Sequence, residues 1–446
     1  MRLVLLSGGS GKRLWPLSND ARSKQFLKVL RNEKGQLESM AQRVWRQLEE
    51  AGLNHRGYIA TSREQVDMVQ NQLGSEIPLI VEPERRDTFP AIALASVYLY
   101  SVAGVSLDEV IAVLPVDPYV ETAFFHKVVQ FDSLLNQTEA DLALIGVRPT
   151  YPSEKYGYIV PSYSEVANHP GCLKVSHFQE KPSEREAEAL IHRGALWNCG
   201  VFAFKLQYMI DLLISKGLPL QYEEMVMQYS RLTKISFDYE VAEKAGHVVV
   251  LPYEGSWKDL GTWNTLTEEM AQEAIGKQVR KEDSPGTHVI NELDIPVVAL
   301  GLSDVVVAAS PDGILVADKS ASPRIKTIMQ HDELFPMYGE KAWGYYKVLE
   351  YMPGPPGSDV RIQKCFVKAG GTLAARLALA HSEVWTVLTG QGKIEVNGSF
   401  RYIHMGDVVV LPEEAEYKMH AFTDMEMVEV QYGMAPMDGS ALKLGT

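Results

Sequence analysis

Along the first 265 or so residues, short apolar runs alternate with stretches of helical period, the pattern of an α/β sheet. The runs at Arg2–Leu6, Gly57–Thr61, Pro78–Val81, Val110–Leu114 and Asp141–Val147 predict strands. Leu37, Met40, Val44 and Leu48 recur at helical spacing between them. Asp87 or Thr88 can cap a further helix with Pro90 in its first turn. From Glu268 to Ser284 the charged pattern predicts a helix, ended by Pro285 and Gly286. Beyond that break the texture is β. Pro296–Leu300, Asp304–Ala308 and Gly313–Ala317 form one group, and Arg361–Val367, Trp385–Leu388, Lys393–Val396, Asp407–Leu411 and Met425–Gln431 read as a small β-barrel.

A chain of 446 residues exceeds the reach of one core, so two or three domains are expected. The balance of 43 basic and 57 acidic residues leaves a formal charge of −14, which argues against a nucleic-acid or anionic-membrane surface. A phosphate site must then be a local pocket. The apolar run Met1–Leu6 is too short for a signal-peptide core, and no 18-residue apolar stretch occurs, so a cytoplasmic location is the expectation. Cys172, Cys199 and Cys365 are odd in number and far apart, as free thiols in a reducing compartment would be.

Candidate chemistry begins at LLSGGSGKRLWPL, Leu5–Leu17. A strand running into glycines and then Lys12 and Arg13 suits a polyphosphate: backbone N–H groups can approach the ligand, and Arg13 can grip phosphate oxygens in a fork. Neither common template fits. A Walker loop needs Ser or Thr after GK, where this chain has Arg13, and the dinucleotide fingerprint fails at Leu14. Alone, the stretch reads equally well as a glycine-rich turn. Further along, Lys24, Asp117 past VIAVLPV, the pair Glu180–Lys181 in FQEKP, Trp197 in WNCG and Asp259 between two tryptophans each have an ordinary reading too: solvated lysine, turn aspartate, edge ion pair, packing residue, helix cap.

Taken in order, GGSGKRLWPL with Lys24, EPERRDTFPAIALA from Glu82, VLPVD ending at Asp117, YGYI from Tyr156, FQEKP, WNCGVF and WKDLGTW constitute a pattern that resembles the sugar-1-phosphate nucleotidylyltransferases. Within them the chain is most similar to the guanylyltransferases acting on mannose 1-phosphate, in the long form that ends in a cupin. The resemblance implies an α/β fold: a Rossmann-like, doubly wound nucleotidyltransferase domain over 1–270, a linker helix and left-handed β-helix segment over 271–335, and a cupin β-barrel over 336–446. It implies attack by mannose 1-phosphate on the α-phosphorus of GTP, assisted by Mg²⁺. Leu6, Gly8, Gly9, Gly11, Lys12, Arg13, Glu82, Arg86, Asp87, Pro115 and Asp117 would line the nucleotide, with Glu82 to Asp87 near base and ribose. Arg13 and Lys24 would steady the triphosphate and the leaving pyrophosphate, and Asp117 and Asp259 would hold Mg²⁺. Tyr156, Gly157, Glu180, Lys181 and Asn198 would form the sugar-phosphate pocket. A homo-oligomer, a dimer, is expected, with no nucleic-acid or membrane partner.

The chain departs from the family pattern at Ser23, Asp87, Pro118 and Cys199, none of which removes a charged group from the site. The cupin departs further. Gly370, Glu383, Gly390, Gly406 and Pro412 keep its frame, but the first, second and fourth metal positions are Arg376, Ala378 and Tyr417. One carboxylate cannot replace a three- or four-ligand site, so a metal-free barrel without isomerase activity, used for packing or oligomerisation, is expected. His381, His404 and His420 read as structural or surface residues. Transfer with another nucleotide or hexose phosphate, and a non-catalytic nucleotide-sugar sensor, are the alternatives.

Overall fold

The computed structural model describes residues 1–9, 12–19, 22–166, 169–329, 335–355, 358–374 and 381–434. Gly11, Arg376 and Ala378 lie outside the described residues, as does the side chain of Lys12. The chain forms two compact units: Met1–Gly9, Asn32–Val66 and Glu76–Leu260 in one, Ser10–Arg31, Asp67–Ser75 and Gly261–Thr446 in the other.

The first unit is built on a nine-stranded sheet. Its strands are β1 (Arg2–Ser7), β2 (Gly57–Ser62), β3 (Leu79–Glu82), β4 (Val110–Pro115), β5 (Leu142–Val147), β6 (Tyr158–Val166), β7 (His169–Gln179), β8 (Leu196–Lys205) and β9 (Val248–Tyr253). In space the order is β3-β2-β1-β4-β8-β5-β9-β7-β6. Strands β1 to β4 pair in parallel, as do β5 and β9, whereas β8 runs antiparallel to β4, β5 and β6. Near-continuous apolar runs such as LALIGV, every residue of which is buried, are what a sheet covered on both faces requires.

Helix α1 (Met40–Glu50) starts three residues after Leu37, because Ser39 and Gln42 close a capping box and Leu37 belongs to a two-residue strand. Helix α2 (Thr88–Ser101) is apolar almost all round and packs its Ile92, Leu94 and Val97 into a core with Val4, Ile111 and Val113. The chain order reverses between β1 and β4: β2 and β3 lie to one side of β1, and β4 lies to the other. The crevice beyond the carboxyl ends of such a strand pair is where open α/β sheets bind ligands.

In the second unit the expected helix over Glu268–Ser284 is corrected. A helix covers only Trp263–Glu269, followed by strands at Ala274–Gly276 and Val279–Glu282. These pair in parallel with His288–Asn291 and Val297–Leu300, and His288–Asn291 pairs in parallel with Val305–Ser310. Left-handed backbone at Gly276 and Gln278 turns the chain between rungs, and Val289, Ala299 and Val307 fill the interior. Charge spacing pointed to a helix; the ladder with strands fifteen to eighteen residues downstream overrides it. From Tyr338 to Met434 two antiparallel sheets, of six and four strands, enclose a core that includes Trp385, Ile394, Leu411 and Met427. The β character expected there is present.

Candidate functional site

Gly8 and Gly9 follow β1 at the switch point of the sheet, both exposed. Leu6 is in register with Pro115, and the Val116 N–H donates to the Leu6 carbonyl over 3.2 Å, so the β4 end that carries Asp117 lies beside the glycine loop. Glu82 ends β3 and is buried. Its Oε1 would lie 3.6 Å from a Cβ at Gly8, and its Oε2 accepts a 2.6 Å hydrogen bond from the Tyr229 hydroxyl. Burial holds both the Glu82 carboxyl and the Tyr229 phenol above their usual ranges. Arg86 donates to the Leu232 carbonyl (2.8 Å) and to Glu84, while Asp87, at φ 76°, accepts from the Thr88 N–H.

Past Asp117 the chain forms a short ribbon: Pro118–Val120 pairs antiparallel with Trp257–Asp259, and Asp259 stands opposite Pro118. The two aspartates thus sit next to each other across one ladder, both half-buried. No cluster of three or more His, Cys, Asp or Glu side chains able to hold a metal occurs among the described residues. A pair of carboxylates with further positions left for phosphate oxygens and water is the donor set that suits Mg²⁺.

A third group lies where β6, β7 and β8 meet. Asn198 N–H donates to the Gly157 carbonyl (2.8 Å), and Asn198 Oδ1 accepts from the Gly200 N–H (3.1 Å). Its Nδ2 donates to Asp238 Oδ1 over 2.7 Å. Lys181, at φ 45°, pairs with Glu180 Oε1 at 2.6 Å; the Glu180 side chain is largely covered and that of Lys181 is half exposed. Gly157 has no room for a side chain, since a Cβ there would stand 2.5 Å from Glu180 Oε2. Tyr156 is wedged between Trp197 and Trp257, with ring centroids at 4.9 and 5.5 Å. Burial, and then the charge of Glu180, push the Asp238 carboxyl up to about 7. The group therefore offers one cation, a carboxylate, a carboxyl of raised proton affinity and an amide, all within reach of a polyol phosphate.

Of the residues expected from the sequence, the structure places Leu6, Gly8, Gly9, Glu82, Pro115 and Asp117 at the switch point and Gly157, Glu180, Lys181 and Asn198 in the third group; Tyr229 beside Glu82 and Asp238 beside Asn198 carried no signal of their own. Both lie in a segment, Tyr229 to Ala242, that docks on the start of α2: Thr88 Oγ1 accepts from the Phe237 N–H (2.8 Å), and the Phe89 N–H donates to Ile235. Only that packing points them at the site. Arg13, exposed on the turn Lys12–Leu14, and Lys24, half-buried on the turn Lys24–Phe26, belong to the second unit.

The sequence pattern of the nucleotidyl transferase family matches residues 2–275. The mannose-1-phosphate guanylyltransferases of Salmonella montevideo and Escherichia coli K12 are each 25% identical to this chain, over 96% of it and 95% of their own length. A crystal structure from Thermus thermophilus, described as a mannose-1-phosphate geranyltransferase, is 29% identical with a TM-score of 0.61, over 74% of this chain and 99% of that one. No described helix is long and apolar enough to cross a membrane. A family pattern that spans more than half of the chain, over a sheet whose switch point carries the glycine loop, shows that this chain belongs to the nucleotidyl transferase family.

Proposed function

We propose that the chain transfers GMP from GTP to mannose 1-phosphate, giving GDP-mannose and pyrophosphate. The observation that carries the reading is the group of Gly157, Glu180, Lys181, Asn198 and Asp238, gathered around strands of the nine-stranded sheet that also carries the Gly8–Gly9 loop, with the separate Asp117–Asp259 ribbon following β4 and β9. A sugar phosphate entering it takes Lys181 away from Glu180. The released carboxylate and Asp238 then accept from sugar hydroxyls, and Asn198 fixes their spacing. Held there, the phosphate oxygen needs only an in-line approach to the α-phosphorus.

The glycine loop, with Leu6, Gly11 and Pro115, lines the triphosphate, and Glu82, Arg86 and Asp87 face the nucleoside. Arg13 and Lys24 meet the charge that develops on the leaving pyrophosphate. Asp117 and Asp259 would hold Mg²⁺, which neutralises phosphate oxygens when bound. The division at residues 270 and 335, the left hand of the parallel ladder, a homodimer and a cytoplasmic location belong to the same reading.

The test is pyrophosphate release by the purified full chain, with every nucleoside triphosphate crossed with mannose, glucose and fucose 1-phosphates. GTP with mannose 1-phosphate is expected to give the highest kcat/KM. A different best pair would replace the substrates, and no turnover with any pair would replace catalysis by sensing.

A further inference from the structure

The segment Lys12–Arg31, which carries Arg13 and Lys24, packs with the parallel ladder and the C-terminal sheets. Arg22 is the centre of that attachment. Its guanidinium is buried, forms a two-pronged pair with Glu292 at 2.8 and 2.9 Å, and lies 4.7 Å from the Tyr338 ring centroid. Asn19 Nδ2 donates to Asp312 Oδ2 (2.6 Å), while the other oxygen of Asp312 accepts from the Met337 N–H. Ser310 Oγ donates to the Pro16 carbonyl (2.8 Å) and Trp263 Nε1 to the Trp15 carbonyl (3.2 Å). Gly313 leaves room for the Trp15 ring, since a Cβ there would stand 2.5 Å from it. Within the segment, Asn19 Oδ1 accepts from the Arg22 N–H, and the Asn19 N–H donates to the Arg22 carbonyl, so the chain is closed on itself just before Lys24.

Ties of this kind do more than fill space. A buried, forked arginine–carboxylate pair fixes both position and direction, and it is costly to break because the surviving charge stays buried without a counter-charge. Lys24 is only two residues from the guanidinium so fixed. We propose that Glu292 and Arg22 are positioning residues for Lys24: the ladder region, formally outside the nucleotide-binding sheet, holds in place the cations that meet the triphosphate. This rests on the proposed function for what Lys24 does, and on the hydrogen bonds above for what holds it. Asp312 and Tyr338 belong to the same anchor. Ordering a loop on binding costs backbone as well as side-chain freedom, so an anchor that already fixes the backbone around Lys24 removes the backbone part of that cost before nucleotide arrives.

The test uses the full chain with Glu292→Gln, and with Glu292→Asp as the milder variant should the first fail to fold. Two readouts are taken. Hydrogen exchange over residues 12–31 is expected to speed up about tenfold or more, while exchange in β1, β4 and β8 stays at the wild-type rate. Unchanged exchange over 12–31 overturns the proposal whether or not the chain turns over.

In pyrophosphate release, kcat/KM for GTP is expected to drop about tenfold, with KM for mannose 1-phosphate within about twofold of wild type. On a Lys24→Ala background the same substitution should then cost little more, because its effect runs through Lys24. A full second loss on that background, or an equal rise in the mannose 1-phosphate KM, marks a merely structural pair and overturns the positioning role. A wild-type protein with no turnover sinks the proposed function instead, and exchange alone decides this inference.

Discussion

Asp238 carries the clearest pH signature at the scale of single residues. Its carboxyl, ordinarily near 3.8, is pushed up to about 7 by burial and by Glu180, so the folded chain keeps a proton there that the unfolded chain has lost. The sign follows from linkage: the contribution is greatest at low pH, declines as pH rises from about 3.8 to about 7, and is level above that. Asp238→Asn has no proton to lose and should lack the decline. In urea titrations between pH 4.5 and 8, the variant should gain on wild type by up to about 1.4 kcal/mol per pH unit below pH 7. Parallel curves would show that Asp238 is ionised throughout. Asp117 and Asp259 make a second prediction: Asp117→Ala and Asp259→Ala should each lower kcat/KM at least about a hundredfold with the fold intact by circular dichroism. A near wild-type rate for Asp259→Ala would remove it from the metal assignment.

Elements decide what single residues cannot. Asp117 and Asp259 are 142 positions apart in the sequence, and only the ribbon pairing of Pro118–Val120 with Trp257–Asp259 makes them neighbours. Likewise β6 meets β8 for two register positions, Leu196 with Ile159 and Trp197 with Tyr158, which places Gly157 next to Asn198. Gly157→Ala is the test of that junction. Its added Cβ meets Glu180 Oε2 at 2.5 Å and Phe178 Cζ at 2.7 Å, so both side chains must shift. KM for the sugar phosphate should rise about tenfold, with that for GTP unchanged and about 1–3 kcal/mol of stability lost to the crowding. An unaltered sugar-phosphate KM would move the pocket elsewhere.

At the scale of the whole molecule, the two C-terminal sheets enclose a network of buried polar groups around Glu383. Glu383, which the sequence reading placed at a cupin metal position, lies 2.8 Å from His381 Nε2 and accepts from Trp385 Nε1 (2.9 Å) and Gln431 Nε2 (3.0 Å). Tyr417, expected from the sequence at the fourth such position, packs edge-on against Trp385. Nearby Glu429 is buried with donors from Gln363 and Cys365, and burial, then the charge of Glu383, hold its carboxyl above the usual carboxylate range. A carboxylate engaged by three donors is a poor metal ligand. Interconversion of fructose 6-phosphate and mannose 6-phosphate should stay at background with added Zn²⁺, Co²⁺ or Mn²⁺; turnover above background would show that the barrel still works as an isomerase.

The sequence by itself was enough for five of the nine strands of the first sheet, the β character of the last hundred residues and the family. These rest on local apolar runs and on seven ordered motifs, each short enough to be read in one window. It was not enough for the stretch Glu268–Ser284, where charged residues at helical spacing become rungs of a ladder. Nor did it mark Tyr229 and Asp238, ordinary residues until α2 draws their segment to the site. Tertiary structure alone decided which aspartates become neighbours across the ribbon and which unit holds Lys24. The physical reason is common to all four: cross-strand register and buried ion pairs are made between positions far apart in the chain, and no local pattern records the partner.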